Sequence, residues 1–401
     1  MSDNNYDSDS SSVPSWMDIQ KPPVDSNDDE DNNVPEWLDI NNDDSQHIVT
    51  PNSILKKGLE VVRYNAKMLR RCRDKTNLQR FKSSFGVSPE TMCRIYEDIQ
   101  STDLIDTSKT PPEPMYLKGK ETNLKWLLRA FHYLKKYPTG DDVERELAIN
   151  KKWGRTKIWE TISKIQFLKH KKITWEDKLG NDNIWIMTVD GTHVWIHKPS
   201  HPEFSQDSDY FSHKFNKAGI DYELGIAIAS QRLIWMNGPF PAGKNDLQIF
   251  KGGGLRDRLK AVGKKAIGDG IYRGNQDTVL YPNSHDSQPV HKFKSRALKQ
   301  HEGFNGMTKC FQILRQVFRH GLQKIAIAFE AVAVICQYKI EAEEPLYDVL
   351  IDDIFKEYDD EDSSIDTENM QYNDNGYDSE DESEYDKDDY DDEEYEKEVK
   401  L

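Results

Sequence analysis

Charge is divided so unevenly along this chain that only its middle can fold around a core. Residues 1–45 hold 13 acidic residues against Lys21 alone, a net of −12. Residues 341–401 hold 28 acidic residues against four lysines, a net of −24. The whole chain of 401 residues carries −17, so residues 46–340, with 30 acids and 49 bases, carry +19. At the two ends, self-repulsion and a shortage of apolar side chains leave little to offset chain entropy, and both are expected to be disordered. What folds is then a basic body between two acidic tails. A basic body selects an anionic partner, most simply nucleic acid.

Cys72, Cys93, Cys310 and Cys336 are scattered and form no C-x-x-C pair. That spacing offers neither a zinc site nor a disulfide framework, and it suits a reducing compartment. The acidic N-terminus lacks the apolar stretch of a secretory signal. The longest apolar run, IAIAFEAVAVIC (325–336), is too short to cross a membrane and contains Glu330, so it is expected to be a buried helix or strand. In the first tail VPSWMDI (13–19) returns 21 residues later as VPEWLDI (34–40). Trp16 and Trp37 either anchor two acidic docking peptides that fold on a partner, or they mark a duplication without a role.

Periodicity organises the middle. Residues 1–50 form the first tail and 51–120 a helical region, in which FGVSPETMCRIYEDI reads as a turn and a helix with Ser88 as its cap and Pro89 at its first position. Residues 121–175 form a second helical module. Leu124, Leu127, Leu128, Phe131 and Leu134 mark one helical face, Pro138 breaks that helix, Thr139 caps the next, and a third spans 155–168. Arg155 and Lys157 at the start of that third helix give a helix-turn-helix candidate, although a helical hairpin without DNA contact fits equally. Over 180–340 short apolar strands (184–190, 193–197, 222–230, 232–238 and 264–272) precede helices, the order of an α/β layer with helices on a sheet. The second tail occupies 341–401.

Two of these strands end alike, TVD-G at Asp190 and IGD-G at Asp269. Asp-Gly is a turn signal, which gives each aspartate a bland reading. Glu302 is the only acid between His291 and His320, among several lysines and arginines, and shares a helical face with Asn305 and Lys309. It is either a solvated ion-pair partner or a carboxylate that holds a metal which in turn binds phosphate.

TVDGTH, IGDGIY and HEGFNGMTK together resemble the three acidic motifs of DDE-superfamily transposases and endonucleases, most of all the Harbinger group and its bacterial insertion-sequence relatives. The separations are 79 and 33 residues. Lys309 matches the basic residue seven positions after the glutamate. Where the bacterial pattern has tyrosine and arginine, this chain has Ser295 and Leu298, with Arg296 and Lys299 as the nearest cations. GPFPAGKNDLQIF (238–250) is similar to the family's Gly-and-Asp segment and adds Asp246 as a lesser candidate.

The resemblance implies an RNase H-like mixed α/β sheet with flanking helices over 180–340. Asp190, Asp269 and Glu302 would be both the catalytic residues and the ligands of two Mg²⁺ (or Mn²⁺) ions, with Asp190 bridging them. The chemistry would be phosphodiester hydrolysis and strand transfer on double-stranded DNA, with no protein nucleophile. DNA contacts fall to Lys309, Lys299, Arg296, Arg155 and Lys157. Further expectations are a separate DNA-binding partner protein, a homo-oligomer, no membrane, and a nuclear location. The rival reading is a domesticated, non-catalytic DNA- or chromatin-binding protein.

The charge division has a measurable consequence. If the second tail competes with phosphate for the basic body, removing residues 341–401 tightens non-specific duplex binding at a fixed salt concentration. Equal or weaker binding by the truncated chain would rule out an internal competitor.

Overall fold

The computed structural model describes residues 49–64, 74–100, 105–106, 113–114, 124–175, 184–198, 208–342, 344–347 and 349. Trp16, Trp37 and nearly all of both tails lie outside the described residues, as do Cys72 and most of the linker after residue 100.

The helical part follows local signals. Helix α1 (Pro51–Val61) opens on a reciprocal box between Thr50 and Ser53. Helix α2 spans Asp74–Phe85 and α3 spans Pro89–Gln100, the latter capped by Ser88 Oγ, which accepts from the Thr91 amide at 3.1 Å. Helix α4 (Leu124–Lys136) buries the face that its leucines mark. Thr139 caps α5 (Gly140–Leu147), and α6 (Lys151–Phe167) follows, continued by the short α7 (Lys169–Lys172).

Helix α6 begins one turn earlier than its pattern suggests. Asn150 accepts from the amides of Lys152 and Trp153 and so starts the helix at Lys151. Ala148, in the left-handed region at φ +52°, ends α5. The connection is therefore only three residues. Its tightness depends on Gly154, where an added Cβ would lie 2.6 Å from the Ile149 side chain.

Six strands form one mixed sheet: β1 Trp185–Trp195, β2 Phe211–Ser212, β3 Lys217–Ala227, β4 Leu233–Pro241, β5 Lys265–Ile267 and β6 Val279–Leu280. The order runs β4–β3–β1–β5–β6, with β2 on the first half of β3's outer edge. Strands β1, β3 and β4 are antiparallel neighbours, while β5 and β6 run parallel to β1. The two strands expected at 184–190 and 193–197 are one. Asp190 pairs with Leu224 and Gly191 with Glu223, so the Asp-Gly step is continuous strand and not a turn.

Period-two alternation divides the sheet's side chains between two cores. Ile220, Tyr222, Leu224 and Ile226 join Phe304, Phe329 and the buried residues of α1–α6 in one large cluster. The opposite face packs Met187, Val189 and Ile234 against Phe250, Leu255 and Leu259. Those last three belong to α8 (Asp246–Gly252) and α9 (Leu255–Val262). The first face is covered by α10 (Gln288–Lys309), the short α11 (Gln312–Arg315) and α12 (Leu322–Ala342). Helix α12 is the apolar run with Glu330 inside it. That carboxylate accepts from Gln166 at 2.6 Å and Lys169 at 2.7 Å, which compensates for its burial. No helix of the described residues is long and apolar enough to cross a membrane.

Tyr222 and Phe329 stack at 3.7 Å between centroids and join sheet to α12. Phe329→Ala is expected to cost about 3–5 kcal/mol of unfolding free energy in a urea titration. A loss below about 1 kcal/mol would mean that α12 closes over the gap.

Candidate active site

The two sides of β1 are paired to different lengths. Toward β3 the ladder runs from Met187 to Trp195, whereas toward β5 it ends at Thr188↔Ile267. Asp190 is the next residue of β1 on the same face as Thr188, just past that stop. The chain leaving β5 presents Asp269 two residues beyond Ile267, where its carboxylate accepts from the Ile271 amide at 3.0 Å. Both aspartates therefore stand at the mouth where the sheet opens.

Asp190 is fixed from two directions. Oδ1 accepts from the Gly191 amide at 2.8 Å, and Oδ2 receives a long contact, 3.4 Å, from Asn305 Nδ2 on α10. Burial pushes its pKa up to about 7, reinforced by the charges of Asp246 and Asp269 and opposed by the Gly191 amide and Lys214.

Asp246, the first residue of α8, approaches from the other face. An added Cβ on Gly191 would meet Asp246 Oδ1 at 2.3 Å. The glycine after Asp190 is thus a gap through which a second carboxylate approaches the strand. Asp246 is itself raised by burial, then by Asp221 and Asp269. The lesser candidate is the strongest charged neighbour of Asp190.

Two acids that sequence reasoning passed over complete this side. Asp221 and Glu223 of β3 are 1% and 2% exposed. Asp221 Oδ1 is hydrogen-bonded to His193 Nδ1. Glu223 accepts from Trp235 Nε1 at 2.8 Å, and burial pushes it up to about 7, opposed by Trp235 and Asn237. The available signal was two acids at i and i+2 inside the otherwise apolar DYELGIAIA, a costly arrangement unless those carboxylates have partners.

Helix α10 is pinned over β1. His301 is fully buried and shares a 2.9 Å hydrogen bond with Thr188 Oγ1, while desolvation pushes its imidazole down to about 3 and keeps it neutral. Glu302 follows on an exposed position, one turn before Asn305. The structure therefore gathers Asp190, Asp246 and Asp269 within electrostatic reach and leaves Glu302 at the rim. Among the described residues no three His, Cys, Asp or Glu side chains are close enough together to hold one metal ion. The donor chemistry nevertheless fits a hard cation. The groups are oxygen donors, their mutual repulsion is only partly offset by Lys214 and His193, and Asn305 Oδ1, Asp221 Oδ2 and Glu223 Oε1 are buried without hydrogen-bond partners.

Residues 189–337 match the family model described as DDE superfamily endonuclease. That segment is similar to a DDE superfamily endonuclease domain. The match begins one residue before Asp190 and ends in α12, so it takes in β1 from Val189 onward, the other strands and every helix from α8 to α12. No curated protein and no solved structure matches the chain.

The basic residues expected to contact DNA are dispersed around the endonuclease domain and the helices before it. Lys299 is exposed on α10, and Arg296 lies 5.8 Å from the centroid of the Tyr347 ring. Lys157 pairs with Glu160 on its own helix at 2.8 Å. Arg155 lines a cavity. Lys309 departs from the expectation. Its ammonium is drawn inward and donates to the carbonyls of His193 and Leu314, joining α10 to β1 and α11. Burial pushes it down to about 8. In this structure it is a tie between elements, its ammonium committed to the carbonyls of His193 and Leu314.

The raised carboxyls fix a sign. A carboxyl held near 7 in the fold and near 4 in the unfolded chain binds its proton more tightly when folded, so stability falls as pH rises between those values. In metal-chelated protein, Asp190→Asn is expected to raise unfolding free energy at pH 8 by on the order of 1–2 kcal/mol, a gain that shrinks steadily toward pH 5. A gain independent of pH would trace the effect to something other than this carboxyl.

Proposed function

We propose that the chain is a divalent-metal-dependent DNA endonuclease and strand transferase of a transposable element, Harbinger-like in type. The observation that carries this reading is the pair Asp190, on β1, and Asp269, just past the end of its parallel neighbour β5, where their ladder stops, inside the segment that matches the endonuclease family. An antiparallel meander followed by two strands parallel to its first supports an RNase H-like sheet over 180–340.

In this reading Asp190, Asp269 and Glu302 hold Mg²⁺ or Mn²⁺, two ions in all, with Asp246 as an additional acid beside them. The bound ions supply an activated water or 3′-hydroxyl and offset charge on the phosphodiester. The chain's own residues set up the site. Gly191 N–H and Asn305 Nδ2 each donate to one oxygen of Asp190 and fix the carboxylate plane. The burial that raises Asp190 also strengthens its attraction for a cation. Neutral His301 holds α10, and with it Glu302, against β1. No side-chain nucleophile is required.

The rest of the proposal follows from charge and the family. The substrate is double-stranded DNA. The domains are a tail (1–50), helical regions (51–120 and 121–175), the nuclease region (180–340) and a second tail (341–401). The location is nuclear, and the chain works as a homo-oligomer with a separate DNA-binding partner that docks on Trp16 and Trp37.

The test is cleavage of a labelled duplex carrying the element's ends, with metal and with chelator. Asp190→Asn, Asp269→Asn and Glu302→Gln are each expected to fold, to bind DNA, and to lose nicking by a factor on the order of 10³ or more. Pairs should cost little beyond one change, because the three act as a unit. Wild-type nicking by well-folded Asp190→Asn would refute the reading. A wild type that never cleaves, whichever divalent metal is supplied, would favour the non-catalytic DNA-binding alternative.

A further inference from the structure

The connection between α4 and α5, the first turns of α6 and the segment after α11 enclose a cavity of about 190 Å³. Its polar wall is Lys151 and Arg155 of α6 with Arg319 and His320, and Tyr133 and Ile158 contribute apolar surface. No Asp or Glu is among the described residues that line it. Three permanent cations around one small space repel one another, and a structure retains such an arrangement most readily where an anion completes it.

Two of the three already have partners. Lys151 pairs with Asp141, and the Arg319 guanidinium donates to the Tyr137 and Pro138 carbonyls and lies over the Tyr137 ring. Arg155 is half-buried and makes no hydrogen bond or ion pair among the described residues. Lys324 and Arg319, which share its sign, act with it on His320. Lys324 lies 5.1 Å from the centroid of the Trp159 ring and is lowered by burial and by Arg155. His320 is pushed down to about 4 by burial first and then by Lys324, Arg319 and Arg155, so its ring is neutral. Burial raises the Tyr133 hydroxyl, which therefore keeps its proton and donates to His320 Nε2 at 2.6 Å. The remaining ring nitrogen then carries the hydrogen and is a donor. A guanidinium with unused donors, a second guanidinium and a neutral imidazole thus line the cavity, a set that suits a tetrahedral oxyanion.

We propose that this cavity is a phosphate-group site, with Arg155 as the guanidinium that contacts the oxyanion and a DNA backbone phosphodiester as the group that enters. The DNA part rests on the nuclease reading above, whereas the phosphate chemistry does not. The residues that line the cavity include none of the carboxylates and none of their hydrogen-bond partners, so the cavity is a separate site.

The test uses the full chain carrying Asp190→Asn, so that cleavage does not consume the probe. One arm titrates a fluorescent duplex across a salt series, and the other titrates inorganic phosphate by calorimetry. Arg155→Gln should weaken duplex binding several-fold and lower the slope of log affinity against log salt by about one, and Arg155→Lys should restore the slope. If only the inorganic phosphate arm depends on Arg155, the site stands and its ligand is a free phosphate or mononucleotide. If neither arm depends on it, the proposal falls. Failure of the nuclease reading looks different: wild type that never nicks, with the Arg155 dependence intact.

Discussion

Strand β1 has a neighbour along its full length on one side and loses it halfway along the other. Most of the candidate site follows from that asymmetry. A strand in the middle of a sheet buries its side chains on both faces, which a carboxylate resists. Where β5 stops, the sheet opens, and Asp190 can be part of a central strand and still face a cleft. The chain leaving β5 has to turn away at the same level, and so delivers Asp269 to the same opening. The Asp-Gly pairs differ physically: after Asp269 the glycine begins a 3₁₀ turn, while after Asp190 it is in-strand and leaves room for Asp246.

The second constraint is the seating of α10. A helix lying on a sheet can slide or roll, and either motion would misplace Asn305 and Glu302. The buried hydrogen bond between His301 and Thr188 resists both, because parting them would leave two polar groups unsatisfied in a dry interior. Lys309 does the same two turns later, with its ammonium on the carbonyls of β1 and α11. A lysine that sequence reasoning expects to contact DNA serves instead to hold α10 in place.

Helices with strong caps were legible in the sequence, and so were most strands, but α8 and α9 interrupt the expected run of strands before β5. Ser88 and Thr139 cap as their side-chain chemistry requires, and the apolar run around Glu330 is buried because Gln166 and Lys169 meet the carboxylate. Asp190 and Asp269 were legible as strand-associated acids, but their surroundings were not. Local turn propensity at Asp190-Gly191 was overridden by pairing with β3, a partner some 30 residues away that a local pattern does not reveal. Asn150 starting α6 early is a comparable miss, since a side-chain cap decided what apolar spacing alone left open. Asp221 and Glu223 were hidden for a different reason. Strand content made them look like solvent-facing members of an alternating pattern, whereas α8 covers that face.

One large core runs from Ile54 in α1 through Leu127 and Ile162 to Tyr222 and Phe329, crossing the start of the matched segment without interruption. The recognisable stretch of sequence is therefore not a folding unit. Expressed alone from Val189 onward, it would present to water the face of α12 that α6 normally covers, and would lose Trp185 to Thr188, the only part of β1 that meets β5. Motif inheritance and structural autonomy have different borders here. A chain cut at the borders of the match would need a replacement for the surface that the upstream helices shield.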